Sequence, residues 1–274
     1  MNNKELFQLK HELWLKMVYS SFAISEPQIK DTLYDFSNIL FRHLKWLAQD
    51  LRANNIEYDY SKYGIEIEKQ TTFEYFEYLI NEIKIALRQY GESVLFSRII
   101  SDEYYMIVTL EKLLKDEKNN HQITAFNKQR KYEDKNLDKE QTDALTYFLF
   151  EESYKEYELI MVYFYMQIHS DDVVLNDVYQ DLIDESHFHL KCFGNMLAKM
   201  GILNIPRTII KELYTKTDIK QFMLDGIEEE KGAKEMCAQL AAAVNDEELA
   251  KFFDFINYQE NYHIELMQKA IKVL

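Results

Sequence analysis

Helix breakers are almost missing from this chain: two prolines and six glycines punctuate 274 residues. Between them run apolar residues at steps of three and four, with no sustained alternation of apolar and polar positions. That period belongs to helices with one inward face, whereas strands need a period of two. The chain is therefore expected to be all-α. With 47% hydrophobic residues it has material for two domains or one large one. Against 32 basic residues stand 47 acidic ones, and the net charge of −15 opposes nucleic acid as a partner. No apolar run approaches the roughly 18 residues of a membrane span, so no membrane partner is expected. The opening MNNKELFQLKHELW lacks the basic start and apolar centre of a signal peptide, and Cys192 and Cys237 fall within helical patterns. A cytoplasmic protein with reduced thiols, able to form a homodimer, is the expectation.

The polar segment 116–140 divides the chain nearly in half and reads as a charged linker between domains at 1–115 and 141–274. The halves share a plan. HLKWLAQDLRANNI from His43 matches HLKCFGNMLAKMGILNI from His189, which places Leu47 on Phe193 and Leu51 on Leu197. ELWLKMVY from Glu12 aligns with EYELIMVY from Glu156, and EYYMIVTLEKLLK from Glu103 with ENYHIELMQKAIK from Glu260. Three matches in one order indicate an internal duplication. In the second half the period predicts helices over about 142–169, 172–200, 217–244 and 246–273. HSDD and NDEE make tight connections, with Asn245 or Asp246 as a cap, while GILNIPRTIIKELYTKT makes a long one. Two hairpins joined by one long crossover is the connectivity of ferritin-like four-helix bundles.

Polar residues interrupt the inward stripes at one depth. The first stripe of the second half carries Glu152 and Glu156, the second Glu185 or Ser186 with His189, the third Glu229, and the fourth Glu260 and His263. A single glutamate on such a stripe usually reaches solvent at its edge, and a single histidine is usually a satisfied core residue. Four helices agreeing on one level is the stronger signal, since carboxylates and imidazoles converging inside a bundle suit a pair of iron or manganese ions. Gly226 and Gly232 flank Glu229 in GIEEEKG, each costing about 1 kcal/mol in a helix relative to alanine. They read equally well as room beside the ligands or as close packing.

With these residues in view, the second half resembles the ferritin-like di-metal carboxylate proteins, which take Glu from the first and third helices and Glu-x-x-His from the second and fourth. The resemblance implies Glu156, Glu229, Glu260 and His263 as metal ligands. Tyr163 stands seven residues after Glu156, where related bundles often hold a tyrosine beside the ligands. The second helix departs from the pattern. Glu185 and His189 lie on the stripe four residues apart, and a local π-bulge could accommodate them. Asp184 and His187 have the family's spacing but point partly off the stripe, and Glu152 is an alternate on the first helix.

The first half keeps Glu12, His43 and Glu103 but has Met106, Ile83 and Leu40 with Ile39 at the other positions. It is expected to hold no metal, with His43 hydrogen-bonded to Glu12. The resemblance implies two metal ions, iron first and manganese as the alternative. It implies an oxidoreductase of oxidase, hydroxylase, peroxidase or ferroxidase type, with O2 or peroxide and a small organic substrate as partners. A storage cage fits poorly with a two-bundle chain, and no Cys-x-x-Cys pair is present for a rubredoxin iron. The other class is a metal-free helical-bundle interaction protein.

Overall fold

Helix starts fall where the sequence offers a side-chain cap. Asn2 and Asp138 form capping boxes with Glu5 and Gln141, and Thr71, Ser93, Asp172, Asp218 and Asp246 each accept from a backbone amide of the first turn. The computed structural model describes residues 2–132 and 134–274. Its α-helices are α1 (Asn3–Ala23), α2 (Pro27–Ala53), α3 (Thr72–Leu87), α4 (Val94–Leu113), α5 (Lys139–His169), α6 (Val173–Lys199), the short α7 (Lys211–Tyr214), α8 (Ile219–Val244) and α9 (Glu247–Ile271). Among the described residues the only β-pairing is an isolated bridge between Thr71 and Gln122. The protein is all-α, and no helix among the described residues is long and apolar enough to cross a membrane.

The chain divides into unit 1 (Met1–Asn127) and unit 2 (Lys128–Leu274). In unit 1, α1 packs on α2 and α3, and α4 packs on α3 and α2. In unit 2, α5 packs on α6 and α8, and α9 packs on α8 and α6. The segment expected as a linker at 116–140 is largely folded onto the units. Thr72 and Ile123 bond His121 and Gln70 through the backbone and Ala125 is buried, on the unit 1 side. On the unit 2 side, Lys128 and Arg130 donate to the carbonyls of Gly201 and Met200, and Tyr132 joins the core. Glu133 lies outside the described residues.

The first helix of each unit is buried on nearly every side, because the crossover wraps its outer face. In unit 1, Tyr58 packs on Phe7 with ring centroids 4.5 Å apart, and the Ser61 amide donates to His11 Nδ1 at 3.2 Å. In unit 2, Asn204 donates to the Phe150 carbonyl, Tyr214 packs on Tyr165, and Arg207 lies over the Tyr154 ring. An apolar plug fills one end of unit 2: Leu145, Leu149, Phe193, Leu197, Leu240 and Phe253. Each such side chain contributes about 1.5–3 kcal/mol by leaving water. The polar residues of the inward stripes begin just beyond it.

Candidate metal centre

The four long helices of unit 2 each bring a buried polar side chain to one level: Glu156 from α5, His189 from α6, Glu230 from α8, and Glu260 and His263 from α9. Glu156 Oε1 lies 2.9 Å from His189 Nδ1. His189 Nε2 faces Gln259 Oε1 at 3.2 Å, and the Gln259 amide donates to Glu185 Oε2 at 2.8 Å. His263 Nδ1 is 2.9 Å from Glu260 Oε2 and 3.3 Å from Glu230 Oε1. The two imidazole rings are 5.4 Å apart. Potential ligand atoms gather in two trios, each within 4.8 Å: Glu185, His189 and His263, and Glu230, Glu260 and His263.

Burial dominates the electrostatics and the neighbours decide its outcome. For His189, burial opposes the charged form, but the charge and hydrogen bond of Glu156 outweigh it and raise the imidazole to about 9. His263 is desolvated too, and Glu230 and Glu260 together lift it to about 11. Burial and a hydrogen bond to Glu230 push Glu260 up to about 8. Glu230 resists its own burial through hydrogen bonds with Glu260 and His263 and ends below its ordinary value. Burial and the neighbouring Glu230 carboxylate thus favour the protonated form of Glu260.

The residues have the donor chemistry for a transition-metal ion on three counts. Glu156 Oε2 and His263 Nε2 are buried without a hydrogen-bond partner, and unsatisfied polar atoms inside a protein demand an explanation. Carboxylate and imidazole donors are the set that suits iron or manganese. His189 holds Gln259 on its outer nitrogen, which in turn holds Glu185, the outer support that fixes a metal-binding imidazole.

Several residues named from the sequence lie away from this buried level. Glu229 is exposed at the rim of the cavity, and its neighbour Glu230 takes the inward position on α8. Glu185 is half-buried and in a trio with His189. Asp184 is exposed and accepts from Gln180, and neither it nor His187 joins a trio. α6 is α-helical from end to end, so no π-bulge adjusts the Glu185–His189 spacing. Glu152 is buried and paired with Lys155 at 2.8 Å rather than placed in a trio. Gly232 faces solvent, and a Cβ on Gly226 would meet Met267 Sδ at 2.9 Å, so Gly226 serves close packing of α8 on α9. Gln259 and Glu230 are additions to the sequence-derived set. A shift of one residue along GIEEEKG separates Glu229 from Glu230, and only packing reveals which one faces inward.

A cavity of about 40 Å³, room for a few water-sized molecules, opens between α5 and α8. It is lined by Glu156, Glu230 and Glu260 on the inside and Leu159, Phe222 and Met267 along its apolar wall, with Lys155 beside Glu152. Tyr163 lines it as well. Burial, with the nearby charges of Glu230, Glu156, Glu229 and Glu260, holds its phenol well above the ordinary value and therefore protonated.

Unit 1 has a cluster of its own with different chemistry. Lys10 is fully buried and pairs with Glu103, which also accepts from the Tyr90 hydroxyl at 2.6 Å. Lys10 Nζ lies 3.4 Å from His43 Nδ1, and His43 Nε2 lies 3.0 Å from Asp102. The expected His43–Glu12 bond is replaced by these contacts. Glu12 accepts from the Ser61 hydroxyl at 2.5 Å, because α1 turns it toward the crossover. Among the described residues no trio of ligand atoms forms in unit 1.

Comparison with protein-family models, curated proteins and solved structures finds no match for this chain.

Proposed function

We propose that unit 2 is a ferritin-like carboxylate bundle binding two ions of iron, or of iron and manganese, and that the protein is an oxidoreductase acting on dioxygen or peroxide. The observation that carries this reading is the burial of Glu156, His189, Glu230, Glu260 and His263 at one level of the four helices, with His263 common to two alternative trios of ligand-type atoms. Glu156, Glu185, His189, Glu230, Glu260 and His263 would hold the ions. When bound, such ions supply electrons to a small oxidant. The chain's own residues do the rest. Three buried glutamates neutralise cationic charge, and Gln259 holds the His189 ring with its Nδ1 turned inward. Glu260 and the two imidazoles give up protons as cations arrive, so loading releases acid. The narrow cavity admits molecules of the size of water or dioxygen, and protonated Tyr163 offers it a hydroxyl. We read the matching order of helices in the two units as the remains of a duplication.

One observation favours the other class. Without metal, His189 pairs with Glu156 and His263 with Glu230, so the cluster can close on its own charges as part of a metal-free interaction protein. Anaerobic loading with Fe(II) and Mn(II), followed by elemental analysis and near-ultraviolet absorption after exposure to air, separates the two. About two ions per chain, lost in His263→Ala, support the metal reading. A chain that retains neither ion overturns it.

A further inference from the structure

The buried clusters of the two units share one pattern of contacts. His43 and His189 each direct Nδ1 at a side chain 33 residues earlier, on the first helix of the unit. Each directs Nε2 at the residue just before a buried glutamate of the last helix: Asp102 before Glu103, and Gln259 before Glu260. By this register Lys10, not Glu12, is the counterpart of Glu156. A carboxylate in unit 2 is replaced by an ammonium in unit 1. Lys10 and Glu103 have no exposed side-chain surface, and burial strongly opposes a charge on either unless the other balances it.

We propose that the Lys10 ammonium is a built-in cation that takes the place of a metal ion in unit 1, neutralising Glu103 and barring divalent cations from the His43–Glu103 pair. The groups facing it fit that role. Glu103 contacts Nζ directly, Tyr90 donates to the same Glu103 oxygen, and His43 presents Nδ1. Asp102, on the far side of His43, is tied outward by Arg42 and Arg98. Glu103 Oε2 is buried without a hydrogen-bond partner, an acceptor the ammonium leaves unused. Exchanging the ammonium for a carboxylate, as in Lys10→Glu, would set that new carboxylate beside His43 and Glu103 around a vacated cationic position. Two carboxylates and an imidazole are a donor set for a single divalent ion.

Only the comparison of the two registers rests on the metal reading of unit 2, so the test is made where unit 2 is disabled. In the full chain carrying His263→Ala, the further change Lys10→Glu is titrated with Co(II). Visible absorption, elemental analysis and thermal unfolding are followed. The expected result is about one ion per chain and a metal-dependent rise in unfolding temperature, both abolished by adding His43→Ala. His263→Ala alone should show neither. A Lys10→Glu chain that neither takes up Co(II) nor is stabilised by it, folded or not, overturns the inference. A second arm needs no metal. Lys10→Met should lower the unfolding temperature, and Lys10→Met with Glu103→Gln should recover part of the loss, because the uncompensated carboxylate is gone. No recovery in the double variant also overturns it. Failure of the wild-type chain to bind metal, by contrast, bears on unit 2 alone.

Discussion

His263 is the side chain on which both trios of unit 2 converge, so its loss should cost more than that of any other member. His263→Ala is expected to abolish metal retention, measured by elemental analysis after desalting. The one-residue question on α8 has an equally direct answer: Glu230→Gln should weaken Mn(II) binding at least tenfold, whereas Glu229→Gln should leave it within about twofold, because only Glu230 is buried against His263. Equal losses in the two variants would contradict the inward placement of Glu230. Gln259 makes no claim as a ligand. By orienting His189 and Glu185 it should still matter, and Gln259→Leu is expected to weaken metal binding about 10–100-fold in an isothermal titration.

At the scale of the helix, α8 holds two positions where backbone physics sets the outcome. Gly232 is exposed and an added Cβ would meet nothing within 4 Å, so Gly232→Ala should stabilise the fold by about 1 kcal/mol in denaturant unfolding. Asn245 ends α8 in the left-handed region, with φ of 51°, and Asp246 then caps α9. Asn245→Gly should be neutral or stabilising, and Asn245→Val should cost about 1–2 kcal/mol by placing a β-branched residue there. The sequence marks this connection as a capping site but leaves Asn245 and Asp246 as alternatives. Their division of labour, one ending a helix and the next starting another, follows from backbone angles that composition does not specify.

For the whole molecule, buried histidines of two kinds set the pH dependence of the metal-free chain. Burial lowers His11 to about 3 and His187 to about 4, and burial with the Lys10 charge lowers His43 to about 3. Their unfolded forms protonate first, so the stability they contribute is complete above pH 6.5 and is lost as pH falls toward those values. His189 and His263 are raised instead, and their contribution is full below 6.5 and lost as pH rises through about 9 and about 11. Glu260, raised to about 8, loses stability in the same direction from 4.5 upward. Urea unfolding of the metal-free chain should therefore show greatest stability near pH 6.5, with the alkaline decline reduced by His263→Ala. Metal should act on one unit only. At a hundredfold excess over the dissociation constant, unit 2 should gain about 2.7 kcal/mol for each ion bound while unit 1 is unchanged, as read by hydrogen exchange unit by unit.

Local properties of the chain were enough for the all-helical fold, for the four long helices of the second half to within a few residues at each end, and for the depth at which polar side chains enter them. A 3.6-residue period, capping side chains and scarce breakers carry all three. The buried, inward placement of Glu156, His189, Glu260 and His263 is legible for the same reason, since each sits on an unambiguous apolar stripe. Packing between helices chose Glu230 over Glu229, set Gln259 behind His189, and paired His43 with Lys10 and Asp102 instead of Glu12. Helical periodicity gives a residue's angle to within about one position, whereas the chemistry of a buried cluster depends on which of two adjacent side chains faces the neighbouring helix.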